Sequence, residues 1–229
     1  MKKFWAFISN GTYSVGTTGQ TVYLYNENGD EIGKFKDIIY AYKPMFSPDG
    51  KIFAVKSTDG RLAVYSLATR SLIKKFRYSK FDAAQDAGFC FSHGGKYFVN
   101  LESHGKDGLQ CAVTLYDTES FSIVSQLMLD NDVVLSHIEF DDNTDEYYVL
   151  GLNRGRHIVG FIAKYKNNAI VDKIEISEKE YDFYNSYFVL KMEGFTEKSY
   201  EWSYLENELN ELKSANYSLS QLYKQYNVL

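Results

Sequence analysis

The feature that most constrains this sequence is a unit of about 40 residues that recurs along most of the chain. Its clearest copy, residues 45–76, contains four short apolar segments separated by three turns, one of which includes Ser47-Pro48-Asp49-Gly50. The same order of parts recurs over residues 7–35, 90–129 and 138–176, and in a shorter form over 182–204. The repeat predicts a series of similar four-stranded sheets.

Two sets of aromatic residues keep the same register in every copy. The first-strand residues are 39, 45, 49 and 43 positions apart: Phe7, Phe46, Phe91, Phe140 and Phe183. The third-strand residues are 40, 51, 49 and 39 positions apart: Tyr25, Tyr65, Tyr116, Tyr165 and Tyr204. Four strands at this period indicate the blades of a β-propeller.

We therefore predict an all-β fold, a small propeller of about five blades. The expected blades cover residues 3–37, 40–77, 87–129, 134–177 and 180–205. The fifth copy offers only three candidate strands, so we expect the ring to close by packing. Pairing of Lys2–Ser9 into the last blade is the alternative.

The best-preserved copy resembles the WD-repeat and related propeller families. The resemblance is carried by Phe46-Ser47-Pro48-Asp49-Gly50-Lys51 and by Asp59-Gly60 before Leu62-Ala63-Val64-Tyr65, and it extends over roughly residues 3–205. The Gly-His pair of the family is absent, and tyrosine replaces the usual tryptophan, with aspartate following only at Tyr116-Asp117. The resemblance implies a degenerate propeller whose rim loops bind partners.

The pattern changes at Ser203, where Ser203-Tyr204-Leu205-Glu206 matches a helix capping box. Leucines and tyrosines then recur at three- and four-residue steps, which predicts an amphipathic helix over 206–229 that covers the last blade. The alternative is a helix-mediated dimer, because Asn216 would occupy a heptad a position between leucines.

Composition excludes several classes of protein. With 45% hydrophobic and 24% charged residues the chain is typical of a soluble globular protein, and 20 Tyr and 16 Phe against 2 Pro favour strands. Its net charge of -5 disfavours nucleic acid and anionic membranes as partners. The short apolar run near the N-terminus does not match a signal peptide, and only Cys90 and Cys111 are present, so we expect a cytoplasmic protein.

No catalytic, metal or cofactor motif is recognisable. The four histidines, His93, His104, His137 and His157, are far apart in the sequence, and the acidic segment 141–146 lacks the glycine and glutamate of a calcium loop. Cys90 and Cys111 are expected on non-adjacent strands of one blade, beyond disulfide reach, as core thiols. We predict no catalytic residue, no metal site and no cofactor.

The leading hypothesis is a non-enzymatic module that binds a protein or peptide, because a rigid scaffold presents function in its loops. In the resembling families the loops after the outer strand and before the third strand share one face. The residues expected there are Tyr40, Tyr42, Phe81, His104, Arg154 and Arg156, whose aromatic and arginine content is typical of interaction hot spots.

The alternative is a propeller hydrolase or lyase with a small-ligand site at the mouth of the channel. Such an enzyme needs convergent acids, a histidine or a metal. The sequence offers four candidates for these roles: Asp86, Asp132, His104 and His157.

Overall fold

The structure is a computed structural model that describes residues 2–78, 88–105, 109–129, 132–141, 144, 146–155, 157–167, 169–192 and 214–227. Over these ranges the chain forms four antiparallel sheets, each built from four strands that are consecutive in the sequence. The chain divides into two compact units, residues 1–82 with 187–216 and residues 83–186 with 217–229.

The first unit contains two sheets. The first sheet consists of β1 (Ala6–Ser9), β2 (Tyr13–Thr17), β3 (Val22–Asn26) and β4 (Glu31–Phe35). The second sheet consists of β5 (Ala41–Phe46), β6 (Ile52–Ser57), β7 (Arg61–Ser66) and β8 (Ser71–Arg77). Both sheets supply side chains to one core. In this core the centre of the Tyr65 ring lies 4.5 Å from the centre of the Phe35 ring and 4.9 Å from that of the Phe53 ring. Aliphatic residues from both sheets surround these rings in the core.

The second unit also contains two sheets. The third sheet consists of β9 (Phe89–Phe91), β10 (Tyr97–Gly105), β11 (Leu109–Asp117) and β12 (Ile123–Met128). The fourth sheet consists of β13 (Val133–Phe140), β14 (Glu146–Asn153), β15 (Val159–Lys166) and β16 (Ala169–Ile176). Strand β13 packs against β9, β10 and β11 of the third sheet.

The turn after the first strand has the same construction in the second and third sheets. Ser47 donates its amide to the Ile52 carbonyl and accepts the Ile52 amide on its hydroxyl, and Ser92 makes the same two bonds with Tyr97. In the second sheet the Ser47 hydroxyl also bonds to Asp49 at 2.7 Å and lowers the pKa of that carboxyl group. The Phe-Ser motif of the repeat therefore encodes a serine-closed hairpin turn.

One irregularity recurs between the third and fourth strands of every sheet. In each sheet the register shifts at the third-strand tyrosine, which leaves one extra residue in the fourth strand. These extra residues are all β-branched: Ile32, Ile73, Val124 and Val171. Such a bulge bends the strand and increases its twist. The tyrosine register that marks the repeat in the sequence thus marks the same point in each sheet.

The fifth predicted blade is wrong where the structure describes it. Residues Glu178–Met192 form helix α1 instead of strands. The helix begins with a capping box, because the Ser177 hydroxyl accepts the Glu180 amide at 3.2 Å and the Glu180 carboxylate accepts the Ser177 amide at 2.8 Å. Tyr181, Tyr184 and Phe188 are buried at helical spacing, so aromatic residues that fit the repeat period also fit a helix. Residues 193–213, which include the remaining predicted strand, lie outside the described residues.

The continuous C-terminal helix is also wrong. Residues 215–218 are not helical, and the described helix α2 covers only Leu219–Tyr226, with Ser218 as its N-cap. Asn216, the proposed heptad position, therefore lies outside a helix. Helix α2 packs on β13, β14 and β15 of the fourth sheet.

Polar contacts fix the position of α2. Its first amide, at Leu219, donates to Glu139 at 2.6 Å, and the Tyr223 hydroxyl donates to Asp172. The centre of the Tyr223 ring lies 5.2 Å from that of the Tyr148 ring.

None of the described helices has the length and apolar character needed to cross a membrane.

Candidate functional site

Three large apolar side chains are exposed at one end of the first unit. Trp5 is 43% exposed, Ile39 48% and Tyr40 52%. We call these three residues the Trp5–Tyr40 patch. Single exposed apolar residues are ordinary, whereas neighbouring aromatic residues at a loop tip are typical of a contact surface.

Hydrogen bonds hold the loop that carries two of these residues. The Ile39 carbonyl oxygen lies 2.6 Å from the Ser57 hydroxyl, and the Tyr40 carbonyl accepts the Thr58 amide at 3.3 Å. Ile38, just before them, is 1% exposed and belongs to the core. The loop is therefore anchored at its carbonyls and at one buried side chain while Ile39 and Tyr40 point outward.

Trp5 is positioned beside this loop by a glycine. Its ring occupies the space where a Cβ atom of Gly19 would stand, 2.5 Å from the nearest ring atom. Gly19 has a φ of +82° and accepts the Ala41 amide at 2.8 Å, which joins the first sheet to the residue after Tyr40. A side chain at Gly19 would both strain the backbone and displace the indole.

Tyr40 has a left-handed backbone, with a φ of +52°. This conformation costs a bulky residue about 1–2 kcal/mol, and it persists only where the surroundings impose it. The anchoring bonds at Ile39 and Tyr40 provide that constraint. The backbone of an exposed tyrosine is therefore held in one conformation by its neighbours.

Tyr42 does not belong to the exposed surface. It is 7% exposed and is the extra residue of a bulge in β5, because Ala41 pairs with Ser57 and Lys43 with Lys56. Its carbonyl accepts the Thr17 hydroxyl at 2.9 Å, which is a second link between the two sheets. Tyr42 is therefore a buried residue that links the two sheets.

Two lysines lie directly after this bulge. Lys43 and Lys56 are cross-strand partners, 4% and 2% exposed. The Lys56 ammonium lies 4.9 Å from the centre of the Tyr78 ring, and that of Lys43 lies 5.8 Å from the Tyr42 ring. Contact with a ring face compensates part of the cost of removing an ammonium group from water.

The other predicted binding residues are placed elsewhere or are not described. Phe81 and Arg156 lie outside the described residues. His104 belongs to β10 in the second unit, where its backbone pairs with Gln110. Arg154 is exposed in the second unit, and its amide donates to the Asp132 carbonyl at 2.8 Å. Tyr40 and Tyr42 are the predicted binding residues that lie in the described part of the first unit.

Three of the four residues of the enzyme hypothesis, His104, Asp132 and His157, lie in the described part of the second unit. Asp132 has a left-handed backbone, His157 is exposed, and Asp86 lies outside the described residues. Among the described histidine, cysteine, aspartate and glutamate residues, none form a group of three that could hold a metal ion. Cys90 and Cys111 are both buried and unpaired by disulfide, and burial raises the pKa of the Cys90 thiol.

Comparison with known proteins gives a structural match. No protein-family model and no curated protein sequence matches the chain. Among solved structures, the chain is similar to dihydro-heme d1 dehydrogenase NirN in complex with DHE, with 18% sequence identity and a TM-score of 0.54 over 73% of this chain. The fold is β-propeller-like. The match covers 35% of the other chain, and 1160 chains of known structure match, so the likeness concerns architecture alone.

Proposed function

We propose that this chain is a non-enzymatic propeller module that binds a protein or peptide through the Trp5–Tyr40 patch. The observation that carries the proposal is the fixed presentation of Tyr40, an exposed aromatic residue in a left-handed conformation that two anchored carbonyls impose. Preorganisation of this kind reduces the entropy that a loop loses on binding. Tyrosine and tryptophan are also the residues most enriched at binding hot spots.

The proposed module is a degenerate relative of the WD-repeat propellers that works in the cytoplasm. The relation to WD-repeat propellers is supported by the serine-closed turn at Ser47 and by the bulge that recurs beside Tyr65 and the equivalent tyrosines. The cytoplasmic location is supported by the two buried cysteine thiols, which form no disulfide with each other, because structural disulfides are characteristic of oxidising compartments.

The test uses peptides selected on the wild-type protein from a random display library, with affinities measured by isothermal titration. Tyr40→Gly removes the ring while retaining a residue that adopts a positive φ freely, so the variant is expected to remain at least as stable as the wild type. Loss of a hot-spot ring costs about 2 kcal/mol or more, which corresponds to an approximately 30-fold weaker Kd. Trp5→Ala is expected to act in the same direction.

Ile73→Ala is the matched control, because Ile73 is 53% exposed on the second sheet and lies outside the patch. Its affinity for the selected peptides should equal that of the wild type. Peptides that bind Tyr40→Gly and Trp5→Ala as tightly as the wild type would show that the patch is not the binding surface.

A further inference from the structure

The fourth strand of every sheet is an edge strand, and one of the four differs in charge from the others. Strand β8 contains Lys74, Lys75 and Arg77, strand β16 contains Asp172, Lys173 and Glu175, and strand β4 contains Glu31 and Lys34. Strand β12, with the sequence Ile-Val-Ser-Gln-Leu-Met, contains no charged residue. Charges on edge strands normally help to prevent pairing with another chain. Strand β12 lacks such charges and retains, of the usual protections, its bulge at Val124.

The side chains of β12 are both apolar and exposed. Ile123 is 58% exposed, Val124 51% and Met128 49%. Within the described residues, β12 pairs with β11 on one side and with no strand on the other. Its outer side therefore offers unpaired backbone groups flanked by apolar side chains.

The hydrogen bonds to β11 show which backbone groups point outward. Leu129 donates its amide to the Cys111 carbonyl at 2.9 Å. Every second residue of an antiparallel strand bonds to the same neighbour, so Leu127 and Ser125 also bond to β11. The backbone groups of Gln126 and Met128 then point away from the sheet. Val124, Gln126 and Met128 are exposed, whereas Ser125 and Leu127 are half-buried.

We propose that β12 is a self-association site at which a second copy of this chain adds its own β12 in antiparallel orientation. A two-fold axis through Gln126 would place Gln126 opposite its own copy, with paired amide and carbonyl groups, and Val124 opposite Met128 of the second copy. No like charges meet in this arrangement. The same operation on β8 would bring lysines and arginine close to their own copies, which is unfavourable. The second copy is the favoured occupant because β12 is complementary to itself.

The proposal is tested by the mass of the full-length protein in solution, measured by sedimentation equilibrium up to high micromolar concentrations. The wild type is expected to approach twice the monomer mass as concentration rises. Val124→Lys and Met128→Glu, made separately, should each weaken dimerisation at least tenfold, because a charge then faces an apolar side chain across the axis. Val171→Lys is the control, since Val171 is the equivalent bulge residue of β16 and is 56% exposed.

A double variant tests the register. Val124→Lys combined with Met128→Glu places opposite charges across the axis and is expected to restore dimerisation to near the wild-type level. All variants should retain the wild-type circular dichroism spectrum, because the substituted side chains are exposed. A wild-type protein that stays monomeric throughout, or a dimer that Val171→Lys disrupts and Val124→Lys does not, would overturn the proposal. Failure of the double variant to recover would overturn the register.

Discussion

Replacing Tyr165 by phenylalanine is expected to stabilise the protein. Tyr165 is fully buried, and among the described residues its hydroxyl has no hydrogen-bond partner. Burial also raises the pKa of this phenol, which reflects how poorly the site accommodates polarity. Its ring, in contrast, stacks on Tyr147 at 5.1 Å with an interplanar angle of 14°. The Tyr165 ring therefore contributes packing, whereas its hydroxyl oxygen makes no hydrogen bond among the described residues.

The magnitude follows from the cost of burying an unpaired polar group, about 1–3 kcal/mol. Phenylalanine keeps the stacked ring and leaves only the small volume of one oxygen atom, so we expect the free energy of unfolding to rise by about 1 kcal/mol. For a chain of this length that corresponds to an increase in Tm of about 2–4 °C. Thermal melts followed by circular dichroism, together with urea titrations, measure both quantities.

Tyr223→Phe is the matched comparison, because the Tyr223 hydroxyl donates to Asp172. That variant should lose stability by about 1 kcal/mol, the ordinary contribution of a hydrogen bond to a charged acceptor at a partly exposed site. A Tyr165→Phe variant that is destabilised as much as Tyr223→Phe would refute the reasoning, since it would mean that the Tyr165 hydroxyl is well solvated in the folded protein.

Three further predictions concern the second unit. Gly151→Ala should cost about 1–3 kcal/mol in urea titrations, because an added Cβ would lie 2.3 Å from a buried phenyl ring, whereas Gly94→Ala, where nothing lies within 4 Å, should change stability by less than about 1 kcal/mol. The hydrogen bond from Tyr223 lowers the pKa of Asp172, so its stabilising effect is present above about pH 4 and is lost as the pH falls through the lowered pKa. Protection of the α2 amides, taken relative to the intrinsic exchange rate at each pH, should therefore fall as the pH drops below about 4, and unchanged protection would contradict this. Ser177→Ala should lower stability by about 1 kcal/mol through loss of the α1 cap, and an unaffected melting curve would show that the capping box is unimportant.

The sequence predicts the sheets well because their signal is local and repeated. Each serine turn and each third-strand tyrosine depends on residues close in the chain, so a period of 40–50 residues can be read directly. The structure adds the bulge opposite each tyrosine. The bulge was not predicted, because the sequence pattern of an extra β-branched residue cannot be distinguished from an ordinary interruption of strand alternation.

The error at 178–192 has a physical cause. Phe183 satisfies the repeat period and is followed by the apolar run Tyr187-Phe188-Val189-Leu190, and the four-residue step from Phe183 to Tyr187 also satisfies the spacing of a helix. The deciding signal was the Ser177-x-x-Glu180 capping box, which has the same form as the pattern that predicts a helix at Ser203. A local end signal of this kind favours a helix over a repeat copy that lacks one strand.

The candidate site was predictable only in part. Tyr40 was found because it precedes a strand at a predicted rim. Trp5 and Ile39 were missed, since the exposure of Trp5 depends on its seat against Gly19, a contact between residues of separate turns. The burial of Tyr42 results from the bulge in β5, and strand alternation alone gives no indication of it.

Each of the first four repeats forms its own four-stranded sheet, with the tyrosine bulge in the same place each time. Nuclear Overhauser contacts between backbone protons of the third and fourth strands test it most directly. We expect contacts for four pairs: Tyr25 with Glu31, Tyr65 with Leu72, Tyr116 with Ile123, and Tyr165 with Ile170. Contacts that join the third strand of one repeat to a strand of another repeat, as in a two-layer sandwich, would contradict it.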